Sequence, residues 1–278
     1  MAAPVALVTG ATSGIGLQTA LGLARAGMRV IIGGPDRDSA EAGRRTVAAT
    51  VPGADLDIAF ADFASLAAVR GLAGEILSRH ERLDVLVNNA GLIASRYAES
   101  ADGYELTIAV NHLAPFLLTN LLLERLIASA PARIISVASI AHRGTRLDPT
   151  TIARPANWSA WSAYRRSKLA TILFTRALAR RVDPQAITAV CLHPGVVATS
   201  IGNRSGVLGG LAWRLAQPLM LGPAEGAETS IFLATMPDPT IFHGGYVIGK
   251  WFGATARAAR NDRLADALWI ESARLVGL

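Results

Sequence analysis

Cysteine and lysine are nearly absent from this 278-residue chain. The single Cys191 excludes an intrachain disulfide and a zinc site built on paired cysteines. It lies in the apolar run 187–192, the setting of a small buried strand residue. Only Lys168 and Lys250 are lysines, which leaves 25 arginines among the 27 basic residues. Charged residues make up 17% of the chain, against about a quarter in an average globular protein. With 51% apolar residues, this scarcity points to deep burial and excludes general disorder. The arginines are scattered and no run of five basic residues occurs, so the net charge of +6 gives no nucleic-acid face. It leaves room for an anionic cofactor and an ordinary basic surface. No apolar run reaches the roughly 18 residues of a membrane span, since the longest, 113–123, is broken by Pro115, Thr119 and Asn120. The first residues carry no basic region before an apolar stretch, so neither a signal peptide nor a membrane anchor is expected. The expectation is a soluble, cytoplasmic protein without a metal site.

Short β-rich runs alternate with longer helical ones from the start of the chain. Val5–Val8, 30–32, Leu56–Phe60, 85–87, 134–137 and 187–192 are apolar on both faces. Between them, 17–26, 66–78 and 169–181 have helical spacing. Such alternation predicts an α/β protein, a single Rossmann-type doubly wound parallel sheet with helices on both faces. No repeat or linker divides the chain, so residues 1–278 read as one domain. Two irregular regions interrupt the pattern. Residues 142–160 form an insertion containing His142 and Trp158. Residues 200–223, with five glycines around Leu211 and Trp213, are expected to form a substrate lid.

The first strand runs into Thr9-Gly10-Ala11-Thr12-Ser13-Gly14-Ile15-Gly16, and a helix follows. In an α/β sheet such a turn lets a pyrophosphate approach the backbone and rest on the positive end of the helix. Gly10 permits the tight turn, while Gly14 and Gly16 remove side chains that would obstruct phosphate or packing. The spacing is GxxxGxG rather than the usual GxGxxG.

This octapeptide, with Asn88-Asn89-Ala90-Gly91, Asn111, Ser139, Tyr164-Arg165-Arg166-Ser167-Lys168 and Pro194-Gly195, resembles the short-chain dehydrogenase/reductases. The motifs follow the family order over nearly the whole chain. Asn111–Thr119, the 25-residue separation of Ser139 and Tyr164, and His193-Pro194-Gly195-Val196-Val197 are similar to its retinol-dehydrogenase-like branch, with Ala114 and Pro115 as departures.

The chemistry of the residues agrees with that resemblance. A phenol is a poor acid-base group near neutrality. Lys168, one helical turn after Tyr164, puts an ammonium on the same face and is expected to lower the tyrosine pKa. Tyr164 is then the general acid for carbonyl reduction and the general base for alcohol oxidation. Ser139, at the carboxyl end of the fifth strand, can hydrogen-bond the substrate oxygen. The resemblance implies that Asn111 holds a water linking Lys168 to solvent. His112, its neighbour, reads as structural.

By the same resemblance, Gly10, Thr12, Ser13, Gly14, Ile15 and Gly16 hold the pyrophosphate side of a dinucleotide. Asp62 and Phe63 border its adenine, and Asn89, Ala90 and Gly91 the adenine ribose. Tyr164 and Lys168 stand at the nicotinamide ribose, and Pro194, Gly195, Val196 and Thr199 at the carboxamide and phosphate side. At the end of the second strand, Gly34 removes the usual NAD-selecting aspartate and Pro35 the usual NADP-selecting arginine. Asp36 and Arg37 then point in opposite directions. With Arg37 as a substitute phosphate clamp the balance falls to NADP, and NAD stays open.

Leu92, Ile93, Trp158, Trp161, Leu211 and Trp213 are candidate walls for a small hydrophobic carbonyl or alcohol, each tryptophan being equally suited to core packing. Tyr97, Arg143 and Arg204 are candidates to orient a polar substrate instead. The family analogy implies a homodimer or homotetramer. Two rival readings are a catalytically silent NAD(P)-binding sensor or scaffold and a nucleotide-sugar epimerase or dehydratase. The intact Ser139, Tyr164 and Lys168 weigh against the first, and the short stretch after Lys250 against the second.

Overall fold

In the computed structural model, residues 3–195 and 221–278 are described. Eight strands form one sheet: β1 (Val5–Val8), β2 (Arg29–Gly34), β3 (Leu56–Phe60), β4 (Val85–Asn88), β5 (Ala132–Val137), β6 (Ile187–His193), β7 (Tyr246–Ile248) and β8 (Trp251–Phe252). Their order is β3-β2-β1-β4-β5-β6-β7-β8. All neighbours are parallel except β7 and β8. The order reverses between β1 and β4, and a crevice opens there at the carboxyl ends of the strands. The doubly wound sheet expected from the sequence is present. Strands β7 and β8 were not anticipated: with three and two residues they are too short to show a period.

Alternate residues of the central strands enter two cores, which is why those strands read as apolar throughout. Val5, Leu7 and Leu86 pack with helices α3 (Leu66–Arg79), α4 (Leu106–Ala128), α5 (Ala160–Ala179) and α7 (Asp262–Val276). Ala6, Val8 and Val87 pack on the other face with α1 (Gly14–Arg25), α2 (Arg37–Thr50) and α6 (Pro223–Thr235). Helix α4, with 23 residues and a mean hydropathy of 1.6, is long and apolar enough to cross a membrane. Here it is a core helix, burying Phe116, Leu117, Leu118, Leu122 and Leu126.

Glu105 caps α4 from a fully buried position. Its Oε1 accepts from Thr107 N (3.1 Å) and Oε2 from Ile108 N (2.9 Å). The Trp158 indole donates to the same carboxylate at 3.0 Å, tying the 142–160 insertion to the helix. The chain forms two 3-10 turns, Ile140–His142 leading into that insertion and Pro149–Thr151 within it, before α5 begins at Ala160. Helix α5 therefore starts well before the expected residue 169, and Ser159 caps it by accepting from Ser162 N at 3.2 Å. Glu105→Ala removes a helix cap and leaves buried donors unpaired. It is expected to lower the unfolding free energy by about 3 kcal/mol, read from urea denaturation.

Candidate active site

The crevice is a cavity of about 970 Å³ that runs from the loop after β1 to the carboxyl ends of β5 and β6. At one end lie Gly10, Thr12, Ser13, Gly14, Ile15 and Gly16, followed by Asp62, Phe63, Asn89, Ala90 and Gly91. At the other end lie Ser139, Tyr164, Lys168, Pro194 and Gly195. Residues separated by up to 185 positions are brought to one wall by the parallel sheet. Val196, Thr199, Arg204, Leu211 and Trp213, and the expected lid up to residue 220, lie outside the described residues.

The glycine loop is built for close approach. Gly10 has φ +63° and Gly14 φ +54°, conformations that favour glycine. A Cβ on Gly16 would meet the Gly10 carbonyl oxygen at 2.1 Å. Thr9 pins the loop to β4: its Oγ1 donates to Val87 O (3.2 Å) and accepts from Asn89 N and Ala90 N (both 3.0 Å). Asn89 returns the contact, its Nδ2 donating to Thr9 O at 2.8 Å and Gly10 O at 3.2 Å. Ser13 stands at the N-cap of α1 without a side-chain cap bond. The first-turn amides of α1 therefore have no side-chain acceptor from the cap and border the cavity, the arrangement that receives phosphate. Together with the missing Cβ atoms, this geometry fits a dinucleotide.

At the end of β2 the opposed signals of Asp36 and Arg37 separate. The Asp36 carboxylate caps α2, accepting from Ser39 N at 2.8 Å and Ser39 Oγ at 3.0 Å, bonds that hold its pKa below the ordinary value. A Cβ on Gly34 would stand 3.0 Å from Thr12 Cγ2 and from Ala40, so a larger residue is crowded there. Arg37 does not line the cavity. Its guanidinium lies over the Phe60 ring, 4.9 Å from the centroid, and has no ion-pair partner among the described residues. Asp62 borders the cavity, exposed, with Oδ1 accepting from Ala64 N at 2.8 Å, and Phe63 is buried behind it.

At the other end, Ser139 caps the turn Ile140–His142, its Oγ accepting from Ala141 N at 3.2 Å. That bond uses an acceptor lone pair and leaves the O–H free to donate. The Ser139 hydroxyl draws the Tyr164 pKa down, but burial, the larger effect, raises it above the ordinary phenol value. The net lowering of the Tyr164 pKa expected from Lys168 does not appear against the effect of burial. The Lys168 Nζ donates to Val137 O at 2.8 Å, and burial lowers its own pKa to about 8. The ammonium also lies 5.6 Å from the centroid of the Tyr164 ring.

Asn111 stands outside the main cavity, in a π-helical turn (Ala109–Leu113) of α4. Its amide is fully engaged: Oδ1 accepts from Leu92 N (2.8 Å), and Nδ2 donates to Leu92 O (2.9 Å) and Ser167 Oγ (3.0 Å). Ser167 in turn donates to Tyr164 O at 2.7 Å. The α-helical partner of the Asn111 carbonyl would be the N–H of residue 115, and Pro115 has none. A second cavity of about 10 Å³, the size of one water, is lined by Asn111, Pro115, Thr171 and Lys168. Asn88, whose buried Oδ1 has no partner among the described residues, lines it too.

Leu92, Ile93 and Trp161 line the main cavity as expected, and Ile140 and Ala141 join them. Trp161 is exposed and stacks on Tyr164, centroids 5.8 Å apart. Trp158 does not line it, because its indole is committed to Glu105. Tyr97 and Arg143 are likewise elsewhere, donating to Glu99 and to the Ala254 carbonyl. His112 is structural: burial lowers its pKa to about 4, and its Nε2 lies 2.8 Å from Ser272 Oγ. Thr9, Ser167 and His193 were given no site role in the sequence. Each stands inside a recognised motif, whereas the part played by the Val137 carbonyl carries no side-chain signal.

Comparison with known proteins agrees with this geometry. The family model described as short chain dehydrogenase matches residues 4–206. Human retinol dehydrogenase 13 is 38% identical over 282 residues, covering 98% of this chain and 84% of that protein. A crystal structure of an uncharacterized protein from Mycobacterium paratuberculosis aligns with a TM-score of 0.78 and 31% identity, covering 99% of this chain and 93% of that one. A metagenomic short-chain oxidoreductase, crystallised in complex with NADP, aligns at a TM-score of 0.66 and 25% identity over 88% of this chain and 96% of that one. The glycine cradle, the order of the sheet and these matches place the chain in the short-chain dehydrogenase family, as a retinol-dehydrogenase-like NAD(P)-dependent oxidoreductase.

Proposed function

We propose that this protein interconverts a hydrophobic aldehyde or ketone and its alcohol with NADP(H), using Tyr164 as the proton donor and acceptor. The observation that carries the proposal is the meeting of Ser139, Tyr164 and Lys168 in the cavity whose other end is the glycine cradle. NAD(P)(H), when bound, supplies or takes up the hydride. In reduction the Tyr164 hydroxyl gives its proton to the carbonyl oxygen as the Ser139 O–H donates to the same oxygen. The tyrosinate left behind recovers a proton by way of the Lys168 ammonium and a water at the Asn111 carbonyl. Pro115 and the one-water cavity support that route. Oxidation runs the same steps backward. Leu92, Ile93, Ile140 and Trp161 supply an apolar wall that suits a hydrophobic substrate, and the relatives named retinol dehydrogenase favour the same class.

The preference for NADP rests on the end of β2. The Asp36 carboxylate is spent on capping α2 and Gly34 offers no side chain, so neither position presents a free carboxylate to a ribose hydroxyl at the end of β2. Arg37, at the start of α2 and without an ion-pair partner among the described residues, is the charge available to a 2′-phosphate. Arg37→Ala is expected to raise the Kd for NADPH about tenfold, some 1.4 kcal/mol, and to leave that for NADH within twofold. Fluorescence titration with both cofactors reads this directly; equal losses would remove Arg37 from the role.

Tyr164→Phe is expected to cut kcat for carbonyl reduction by about 10³-fold while NADPH still binds. Turnover near the wild-type rate would refute the mechanism. The Lys168 ammonium provides a further test, because its folded pKa of about 8 lies below the unfolded value. Between those two values the unfolded chain holds a proton that the folded protein has released, so folding gains stability as pH rises. Relative to Lys168→Met, the cofactor-free wild type should gain about 2–3 kcal/mol between pH 7 and 10. Urea unfolding of both proteins at each pH measures that difference.

A further inference from the structure

His142 has no part in the mechanism above, yet it is fully buried one turn beyond Ser139. Its Nδ1 lies 2.7 Å from the Ser139 carbonyl oxygen, and its Nε2 lies 3.2 Å from the backbone nitrogen of Ala256. A carbonyl can only accept and a backbone amide can only donate. The proton is therefore on Nδ1, and Nε2 accepts. The ring packs edge-on against Tyr246 of β7 at 5.2 Å. Arginines hold the rest of this turn. Arg165 donates to Ala141 O at 3.2 Å and Arg143 O at 2.6 Å, and Arg143 donates to Ala254 O at 3.1 Å. Among these side chains only His142 reaches Ser139 itself.

We propose that His142 is a positioning residue that aims the Ser139 hydroxyl, coupling it to the segment around Ala256. The inference rests on reading Ser139 as the donor to the substrate oxygen. Ser139 is extended, with φ −162° and ψ 154°, and the direction of its Oγ follows from that backbone. The Nδ1–H bond at 2.7 Å is the shorter of the two that hold the carbonyl and with it ψ, the other being from the His142 backbone N–H at 3.3 Å. Without the shorter bond only the longer backbone bond restrains the peptide, which gains freedom to rotate, and the hydroxyl leaves the narrow range of directions that catalysis tolerates.

Two substitutions divide the ring between its nitrogens. In His142→Asn the amide NH2 can replace Nδ1–H toward Ser139. In His142→Gln the amide oxygen can replace Nε2 toward Ala256, and the bond to Ser139 is lost. Steady-state reduction of an aldehyde that the enzyme accepts, with NADPH binding followed by fluorescence, is measured for both in wild-type and Ser139→Ala backgrounds. His142→Gln is expected to lower kcat about 10- to 100-fold with the NADPH Kd unchanged. His142→Asn should stay within about threefold of wild type, and His142→Gln should cost nothing further once Ser139 is alanine. Equal losses in the two variants, or an undiminished loss in the Ser139→Ala background, would overturn the positioning role. Wild-type activity in Ser139→Ala alone would overturn the reading of Ser139 instead. Nitrogen-15 NMR of the unaltered protein at pH 7 is expected to find the Nδ1–H tautomer of His142. The Nε2–H tautomer or an imidazolium would refute the proposal even if neither variant folds.

Discussion

Residue 16 has no room for a side chain. A methyl group there would stand 2.1 Å from the Gly10 carbonyl oxygen and 2.4 Å from Asn89 Nδ2, and neither can retreat. The carbonyl belongs to a loop bolted to β4 through Thr9, and the Asn89 amide is one of the bolts. This contact draws α1 onto the switch point of the sheet and turns its first-turn amides toward the cavity. The cradle and the β4 loop thus form one rigid unit. That unit fixes where Gly91 and Leu92 leave β4, and Leu92 is where Asn111 takes hold. Through Asn111 and Ser167 the placement of the glycine loop reaches Tyr164 and Lys168 on α5.

The Ser139–Tyr164–Lys168 end of the cavity is assembled at an energetic cost. A buried ammonium and a buried phenol both resist charge, so Lys168 is pulled down to about 8 and Tyr164 is pushed up. A single carbonyl, Val137 O, satisfies the Lys168 Nζ among the described residues, and it is delivered by the last residue of β5. Ser139 follows two residues later on the same strand end. The positions of Lys168 and Ser139 are therefore set by one piece of backbone, and small displacements of β5 would move both together. Such concentration of perturbed titratable groups in one cavity is characteristic of a site that moves protons.

Much of this was legible in the sequence because the signals are local. The six longer strands announced themselves by runs apolar on both faces, and the cradle by glycines directly after the first. The tyrosine and lysine were recognisable because, together with Ser139, Asn111 and the glycine loop, they follow the motif order of a known family, and their spacing is one helical turn. What could not be read was the destination of the polar atoms. Asp36 and Arg37 are adjacent in sequence, and only the cap geometry of α2 shows that the carboxylate turns inward to Ser39. Trp158 looked as suited to a substrate wall as Trp161 until its indole was found on Glu105, 53 residues away. The lysine was expected to act on the phenol, but its strongest contact is with a backbone oxygen that no residue type encodes. Strands β7 and β8 escaped because so few residues give no period.

Pro115 illustrates how a single departure from a family pattern acquires meaning from its place. In the middle of a helix, proline removes a donor and crowds the carbonyl four residues earlier. Here that carbonyl belongs to Asn111, and the helix answers with a π turn over Ala109–Leu113 immediately before the proline. A widened turn is costly in an ordinary core helix and tends to persist where it serves a site. The turn also places the Asn111 side chain so that one amide can grip both the backbone of Leu92 and Ser167. The side chain is consumed in structure, and the main-chain oxygen loses its α-helical donor next to the small cavity that Lys168 also lines. The two halves of one residue are thereby given different work, with position held by the amide and, in the proposed mechanism, proton traffic left to the carbonyl.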